Sequence, residues 1–421
     1  MTSPALRPAA TRFRWVICAL LFFATVIAYV DRGVLSFLEK MLEGIIGWDS
    51  TQYSYMTAGF QAAYAIGMVT AGRFTDRLGT RKAFTYAILL WSVAAMMPAA
   101  AYSPLTFGIA LFFLGLGEAA NFPACIKTVA EWFPKKERAL ATGVFNSGSN
   151  LGAMVVPALV PTLNDWLGWR GAFVITGALG FVWLAFWLWL YRRPTEHPSV
   201  SPGELAYIQS DPPDPPNAGI SWSRLFPLRE TWAFAAAKFF TDPVWWFYLF
   251  WMPRYVTETF HLTLGKTSAP ILAIYAASAV GSIGGGYISG SLLKRGKSVN
   301  VARKTAMAIC AVAVIPVLYA PYSHDLWTMV AVVGLAAAAH QGWSANAFTL
   351  TSDLFPRSAV GSVVGIGGMA GAIGGVLMQL AAGQIAKYTY LPMFVFCGSA
   401  YLIALLAVHL LTPKMRPAVL D

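Results

Sequence analysis

The residues able to do chemistry in this chain are few, and most sit inside apolar stretches. Asp31 and Arg32 are adjacent, with Tyr29 just before them; Glu118 is followed by Asn121; Lys238 and Asp242 are spaced i, i+4; His340, Gln341, Trp343 and Asn346 fall within two turns. Nucleophilic or metal-assisted catalysis needs other constellations. The five histidines (His197, His261, His324, His340, His409) form no HExxH. Cys18, Cys125, Cys310 and Cys397 form no CxxC, so neither an enzyme nor a metal or cofactor site is expected. What these groups can do is bind an anion and carry a proton. A guanidinium is always charged and grips a carboxylate with two parallel hydrogen bonds. A carboxylate in a low-dielectric cavity can load and release a proton near neutral pH. Simpler roles stand beside these. Arg32 could pair with Asp31, a neighbour that counts against Asp31 as a proton carrier. Glu118 could accept an interhelical hydrogen bond. Lys238 either serves a substrate carboxylate or pairs with Asp242, and His340 binds, titrates or rests as a satisfied interhelical histidine.

The elements that must position these residues are membrane helices. Hydrophobic residues make up 57% of the 421 and charged residues 12%, about half of what a soluble domain uses to cover its surface. Apolar runs of about 20 residues lie near 14–37, 52–72, 83–101, 105–127, 139–160, 171–191, 231–253, 269–293, 305–321, 326–350, 360–384 and 391–411. None alternates as a barrel strand would, so they are read as twelve transmembrane helices. The first follows Arg12 and Arg14 but is too long for a cleaved leader and lacks its small-residue cleavage site. The net charge of +11 would suggest nucleic acid in a soluble protein, but here it marks topology. With the N-terminus in the cytoplasm, 22 of the 30 Lys and Arg fall in cytoplasmic segments. Five (Lys40, Arg170, Arg254, Lys266, Lys387) fall opposite, and Arg32, Lys127 and Lys238 lie within spans. That asymmetry predicts cytoplasmic termini, lipid as the surrounding partner and no nucleic acid.

The polar stretch 192–230, with DPPDPP at 211–216, reads as a cytoplasmic linker with a surface helix around 202–210. It divides the chain into bundles 1–191 and 231–421. The halves echo one another. Glu131-Trp132-Phe133-Pro134-Lys135 and Asp353-Leu354-Phe355-Pro356-Arg357 follow spans four and ten, and Gly143 and Gly365 stand twelve residues after each acid. The offset of 222 places His340 opposite Glu118. Such a repeat suggests a pseudo-twofold axis along the membrane normal, with the binding site at the midplane between halves, as in major facilitator transporters. After span two, Gly72-Arg73-Phe74-Thr75-Asp76-Arg77-Leu78-Gly79-Thr80-Arg81-Lys82 matches the G-x-x-x-D-R-x-G-x-[RK]-[RK] signature of that superfamily at each defined position. In it Gly72, Asp76, Arg77, Gly79, Arg81 and Lys82 are gating and structural candidates. The second half keeps Gly286-Tyr287-Ile288-Ser289-Gly290 and Lys294-Arg295-Gly296, with Gly where the acid would stand, so a weaker gating contact is expected there. The tract Gly365–Gly375 follows no strand and suits close helix packing rather than a phosphate loop.

Nearly end to end, the chain resembles the hexuronate transporters of the anion:cation symporter branch of that superfamily. The resemblance is carried by Gln52-Tyr53-Ser54-Tyr55, Gly117-Glu118-Ala119-Ala120-Asn121-Phe122-Pro123-Ala124, Lys238-Phe239-Phe240-Thr241-Asp242-Pro243-Val244-Trp245-Trp246 and Ala339-His340-Gln341. It implies proton-coupled uptake of a sugar acid through a bacterial inner membrane, by a functional monomer whose coupling ion is the proton. Asp31 and Glu118 stand where the branch carries protons, and Arg32 where it meets the substrate carboxylate. Tyr29, Tyr64, Asn146, Asn150, Lys238, His340, Gln341, Asn346 and Gln379 are the candidates to touch substrate, with Trp343 to stack on the sugar ring. Each polar group taken alone can equally serve an interhelical hydrogen bond. Leu111 stands where some relatives carry an Arg, and Val364 where many carry an Asn, so those contacts do not carry over. Related members take galactonate, glucarate or aromatic acids, which are the alternative cargoes. A transporter-like membrane sensor is a further alternative.

Overall fold

The computed structural model describes residues 11–210, 222–355, 357–416 and 418. DPPDPP therefore lies outside the described residues, and so do the side chains of Gly72 and Asp76 within their helix. The regular structure of the described residues is helical: α1 (Phe13–Ile46), α2 (Ser50–Leu78), α3 (Thr80–Met96), α4 (Pro104–Glu118), α5 (Asn121–Trp132), α6 (Lys135–Leu190), α7 (Pro202–Ile208), α8 (Trp222–Leu225), α9 (Arg229–Thr259), α10 (Leu264–Lys294), α11 (Val299–Val314), α12 (Leu326–Leu354), α13 (Arg357–Ile385) and α14 (Leu391–Leu411). Eight stretches among the described residues are long and apolar enough to cross a membrane. One of them, Leu140–Leu190, bends at Gly168 (φ 71°, a left-handed backbone only glycine adopts cheaply) and supplies two crossings. The longer, more polar α2, α9 and α12 complete twelve, which makes this a multi-pass α-helical membrane protein.

Two of the helix ends bear directly on the site. Pro123 has no N–H to donate to the carbonyl four residues earlier, that of Ala119. The fourth crossing accordingly breaks after Glu118 and restarts at Asn121, so that Glu118 ends α4. Gly79 (φ 78°) is at once the stop of α2 and the start of α3.

In the first half α1 packs along α6 and α2 along α4; in the second, α10 packs along α12 and α9 along α13 and α14. The halves meet where α2 lies against α13, α10 against α6 and α1 against α9. Gly152 permits the close approach of α6 to α1: a Cβ there would collide with the Val26 carbonyl and with Tyr29. The α2–α13 seam is polar. Ser50 donates to the Gly383 carbonyl at 3.0 Å, and Gln379 accepts from Thr57 (3.1 Å) and Trp251 Nε1 (2.6 Å).

At the end of the bundle formed by the α1–α2 connection, charges bridge the halves. Arg254 on α9 pairs with Glu39, with Glu43 at 3.0 Å and with Glu258 at 2.9 Å. Lys40 reaches Glu43 (2.9 Å) and Glu258 (2.8 Å), and Lys387 reaches Asp49 (3.1 Å). At the opposite end no ion pair joins the halves among the described residues.

The linker helix expected near 202–210 is α7, and it is anchored to the first half. Glu204 accepts from Thr11 and from the backbone N–H groups of Phe13 (3.0 Å) and Arg14 (3.1 Å). It also pairs with the Arg14 side chain at 3.0 Å. Arg14 pairs in turn with Glu137 at 2.9 Å, which also accepts from Tyr207.

Candidate functional site

The centre of the molecule is built around Arg32. Its Nε donates to Glu118, and the side chain is 3% exposed, with Glu118 wholly buried. Four rings face the guanidinium carbon: Tyr29 at 4.7 Å, Tyr64 at 4.8 Å, Phe60 at 5.5 Å and Trp246 at 5.5 Å. Aromatic faces hold a cation without neutralising it, so among the described residues Glu118 alone is paired with it. Trp246 comes from α9 of the second half and the other three rings from the first. The cation therefore sits at the boundary between halves. The second oxygen of Glu118 has no hydrogen-bond partner among the described residues, nor has either oxygen of Asp31.

Asp31 does not pair with Arg32. Successive residues on a helix do not face one another, and here Arg32 turns to Glu118 across an interhelical gap. This settles the two open pairings: the cation is held by the distant acid, and Asp31 is buried (4% exposed) beside it.

The other candidates divide. Tyr29 and Tyr64 belong to the cage and are half-buried. Gln341 donates to Asn150 at 3.3 Å, a contact between halves, whereas Asn146 is exposed and lies outside the group. Lys238 pairs with Asp242 at 2.8 Å and lies over the Phe348 ring at 4.5 Å. His340 stacks on Trp245 (5.2 Å between centroids, 7° between planes), and its Nδ1 is 2.6 Å from the Tyr401 hydroxyl. Trp343 is fully buried edge-on against the same Tyr401 at 5.5 Å, turned to α14 rather than to Arg32. Asn346 Nδ2 donates to the Gly285 and Gly342 carbonyls, each at 2.9 Å, while its Oδ1 and the Trp343 Nε1 are buried with no partner among the described residues. Gln379 is committed to the α2–α13 seam. The geometry thus joins Arg32, Glu118, Asp31, Tyr29 and Tyr64, and sets Gln379 apart from them.

In the signature loop, Arg77 and Lys82 are exposed, and Arg81 donates to the Leu188 carbonyl at 2.6 Å, tying α3 to the end of α6. The repeated acids after spans four and ten both brace neighbouring helices. Glu131 accepts from Thr80 (2.7 Å) and Tyr191, and Asp353 pairs with Arg303 at 2.8 Å, which also donates to Ser289.

Two groups escaped the sequence reading. Phe60 and Trp246 complete the cage, but aromatic residues are so common in these spans that none stands out. The ion network of Glu39, Lys40, Glu43, Arg254 and Glu258 was visible only as scattered charges, because the partners that bridge the halves lie more than 200 residues apart.

Comparison with known proteins agrees with this architecture. Residues 21–302 match the family model described as Major Facilitator Superfamily. The hexuronate transporter of Escherichia coli (strain K12) is 30% identical over 389 residues, covering 90% of each chain. The D-galactonate transporter of Escherichia coli O6:H1 (strain CFT073) is 28% identical over 419 residues, covering 96% of this chain and 97% of its own. A bacterial homologue of the human lysosomal transporter Spinster, solved in an inward-facing and occupied conformation, shares the fold with a TM-score of 0.72 at 16% identity over 96% of both chains. A match over most of the chain, joined to twelve helices in two halves, makes this protein a member of the Major Facilitator Superfamily, and hence a transporter rather than an enzyme.

Proposed function

We propose that the protein is a proton-coupled symporter that imports a sugar-acid anion, a hexuronate such as galacturonate or glucuronate, across a bacterial cytoplasmic membrane by alternating access. The observation that carries this is the Arg32–Glu118 pair in its aromatic cage at the boundary between halves. A buried cation paired with a carboxylate is a receptor for another carboxylate, provided the resident one is neutralised first. A proton on Glu118 does that. It releases Arg32 to the substrate, and the cage lets the anion replace the lost charge at little cost in desolvation. Asp31, buried with no hydrogen-bond partner among the described residues, is the candidate for a second proton. Tyr29 and Tyr64 stand near enough to meet hydroxyls, the rings of Tyr64 and Trp246 offer flat faces to a sugar, and Asn150 and Gln341, bonded to each other across the halves, are further candidates.

The positive-inside asymmetry supports cytoplasmic termini, linker and signature loop, and in this reading the protein works as a monomer. In this reading the ion network braces the outer face. Proton loss to the cytoplasm restores Glu118 to Arg32 and expels the anion. Coupling requires only that the loaded and empty protein favour different conformations.

The similarity to transporters of hexuronate and of galactonate supports the cargo class. Uptake of labelled galacturonate, glucuronate, galactonate and an aromatic acid into proteoliposomes under an inward proton gradient tests it. Hexuronate uptake is expected to exceed the others. Uptake of another anion without hexuronate would overturn the choice of cargo. One proton per monovalent anion predicts no dependence on membrane potential, and two predict electrogenic uptake.

A further inference from the structure

The centre holds a second cation, Lys238, and its circumstances differ from those of Arg32. Lys238, Asp242 and Trp246 follow one another at i, i+4 and i+8 and so share one face of α9. Trp246 is in the Arg32 cage, so this face looks toward the substrate region. Lys238 is bound to Asp242 at 2.8 Å and seated on Phe348 of α12. Asp242 in turn packs against Gly371 of α13, where any Cβ would collide with its carboxylate. The small residue on α13 is therefore what leaves room for the acid. Arg32 and Glu118 belong to different helices, and a change in helix packing can part them. Lys238 and Asp242 belong to one helix and travel together through any rigid rocking of the halves. The first cation can be released; the second stays occupied.

We propose that Asp242 is a specificity-determining residue which, by occupying Lys238, restricts the site to sugar acids with a single carboxylate. A substrate with carboxylates at both ends brings its second charge toward a cation already taken and a carboxylate that repels it, a repulsive element of the kind that discriminates between close ligands. The inference rests on the sugar-acid reading above. Galactonate and galactarate test it well, because they share an open six-carbon chain and differ at one terminus.

In proteoliposomes holding the full chain, each acid competes against labelled galactonate in counterflow exchange. The wild-type protein is expected to prefer galactonate. In Asp242→Asn the preference ratio shifts toward galactarate by about tenfold or more, the size of a charge-assisted hydrogen bond. The double variant Lys238→Gln, Asp242→Asn loses that shift. Asp242→Ser, smaller and also neutral, repeats the test if the Asn variant folds poorly against Gly371. An unchanged ratio in a folded neutral variant that still exchanges galactonate overturns the proposal. So does a shift that survives in the double variant, or a wild-type protein indifferent between the two acids. A wild-type protein that exchanges neither of these acids nor galacturonate overturns the sugar-acid reading instead.

Discussion

Arg32 and Glu118 concentrate the account at the scale of single residues. Removing one partner of a buried ion pair leaves the other uncompensated, at a cost of about 3–5 kcal/mol, so each variant needs a readout besides stability. Arg32→Ala is expected to weaken substrate binding by about 100-fold or more, in line with the loss of a buried charge pair. An Arg that served only the fold would lower the melting temperature and change affinity modestly; isothermal titration beside a thermal melt separates the two. Glu118→Gln is expected to abolish gradient-driven accumulation while sparing counterflow exchange, since exchange needs binding but no net proton movement. Retained accumulation would remove Glu118 from the proton role. The pairing itself was only half legible. An ionisable residue inside an apolar span announces a function on cost alone, which is why Asp31, Arg32 and Glu118 stood out. That Arg32 faces Glu118 rather than Asp31 depends on helix rotation and on a contact 86 positions away, which no local spacing encodes.

At the scale of elements, hydropathy and charge asymmetry located the twelve crossings, because lipid imposes length and composition on each. Pro123 is the local cause of one departure, the break in the fourth crossing beneath Glu118, while the non-helical Gly168 turns the chain between the fifth and sixth crossings where the two apolar runs part. The surface helix in the linker was expected from its composition; its anchoring was not, because Glu204 meets partners some 190 positions earlier. Burial favours the protonated form of Glu204, but hydrogen bonds from Thr11, the Arg14 and Phe13 backbones and the Arg14 side chain outweigh it and hold the carboxyl below its ordinary value. A group held lower in the folded state stabilises above its unfolded pKa of about 4.3. That contribution is lost as pH falls through the folded value. Glu204→Gln should therefore cost about 1–3 kcal/mol near neutrality. Thermal melts between pH 6 and pH 3 should also fall less steeply in this variant than in the wild type. Equal slopes would mean that the anchoring of α7 contributes nothing to stability.

Across the whole molecule, the two halves are held together unequally. Arg254 bridges to Glu39, Glu43 and Glu258 at one end, and among the described residues no ion pair joins the halves at the other. Arg254→Gln leaves Glu39 buried without its partner, a penalty that applies only while that end is closed. The variant should populate the outward-open state. The four native cysteines are buried, so a cysteine introduced at Ser36 gives a clean signal. Its labelling from outside by an impermeant maleimide is expected to accelerate about tenfold or more in Arg254→Gln, and an unchanged rate would remove the network from the gate. The halves also divide the labour. The first contributes Asp31, Arg32 and Glu118; the second answers at the position related to Glu118 with His340, stacked on Trp245 and hydrogen-bonded to Tyr401. The proposed coupling between anion and proton would thus fall to one half, and its most direct test is proton movement itself. Proteoliposomes loaded with a pH-sensitive dye and given external galacturonate, with no imposed gradient, should acidify inside with the wild-type protein and fail to do so with Glu118→Gln. Galacturonate uptake without acidification by the wild type, or equal acidification by the variant, would contradict the account.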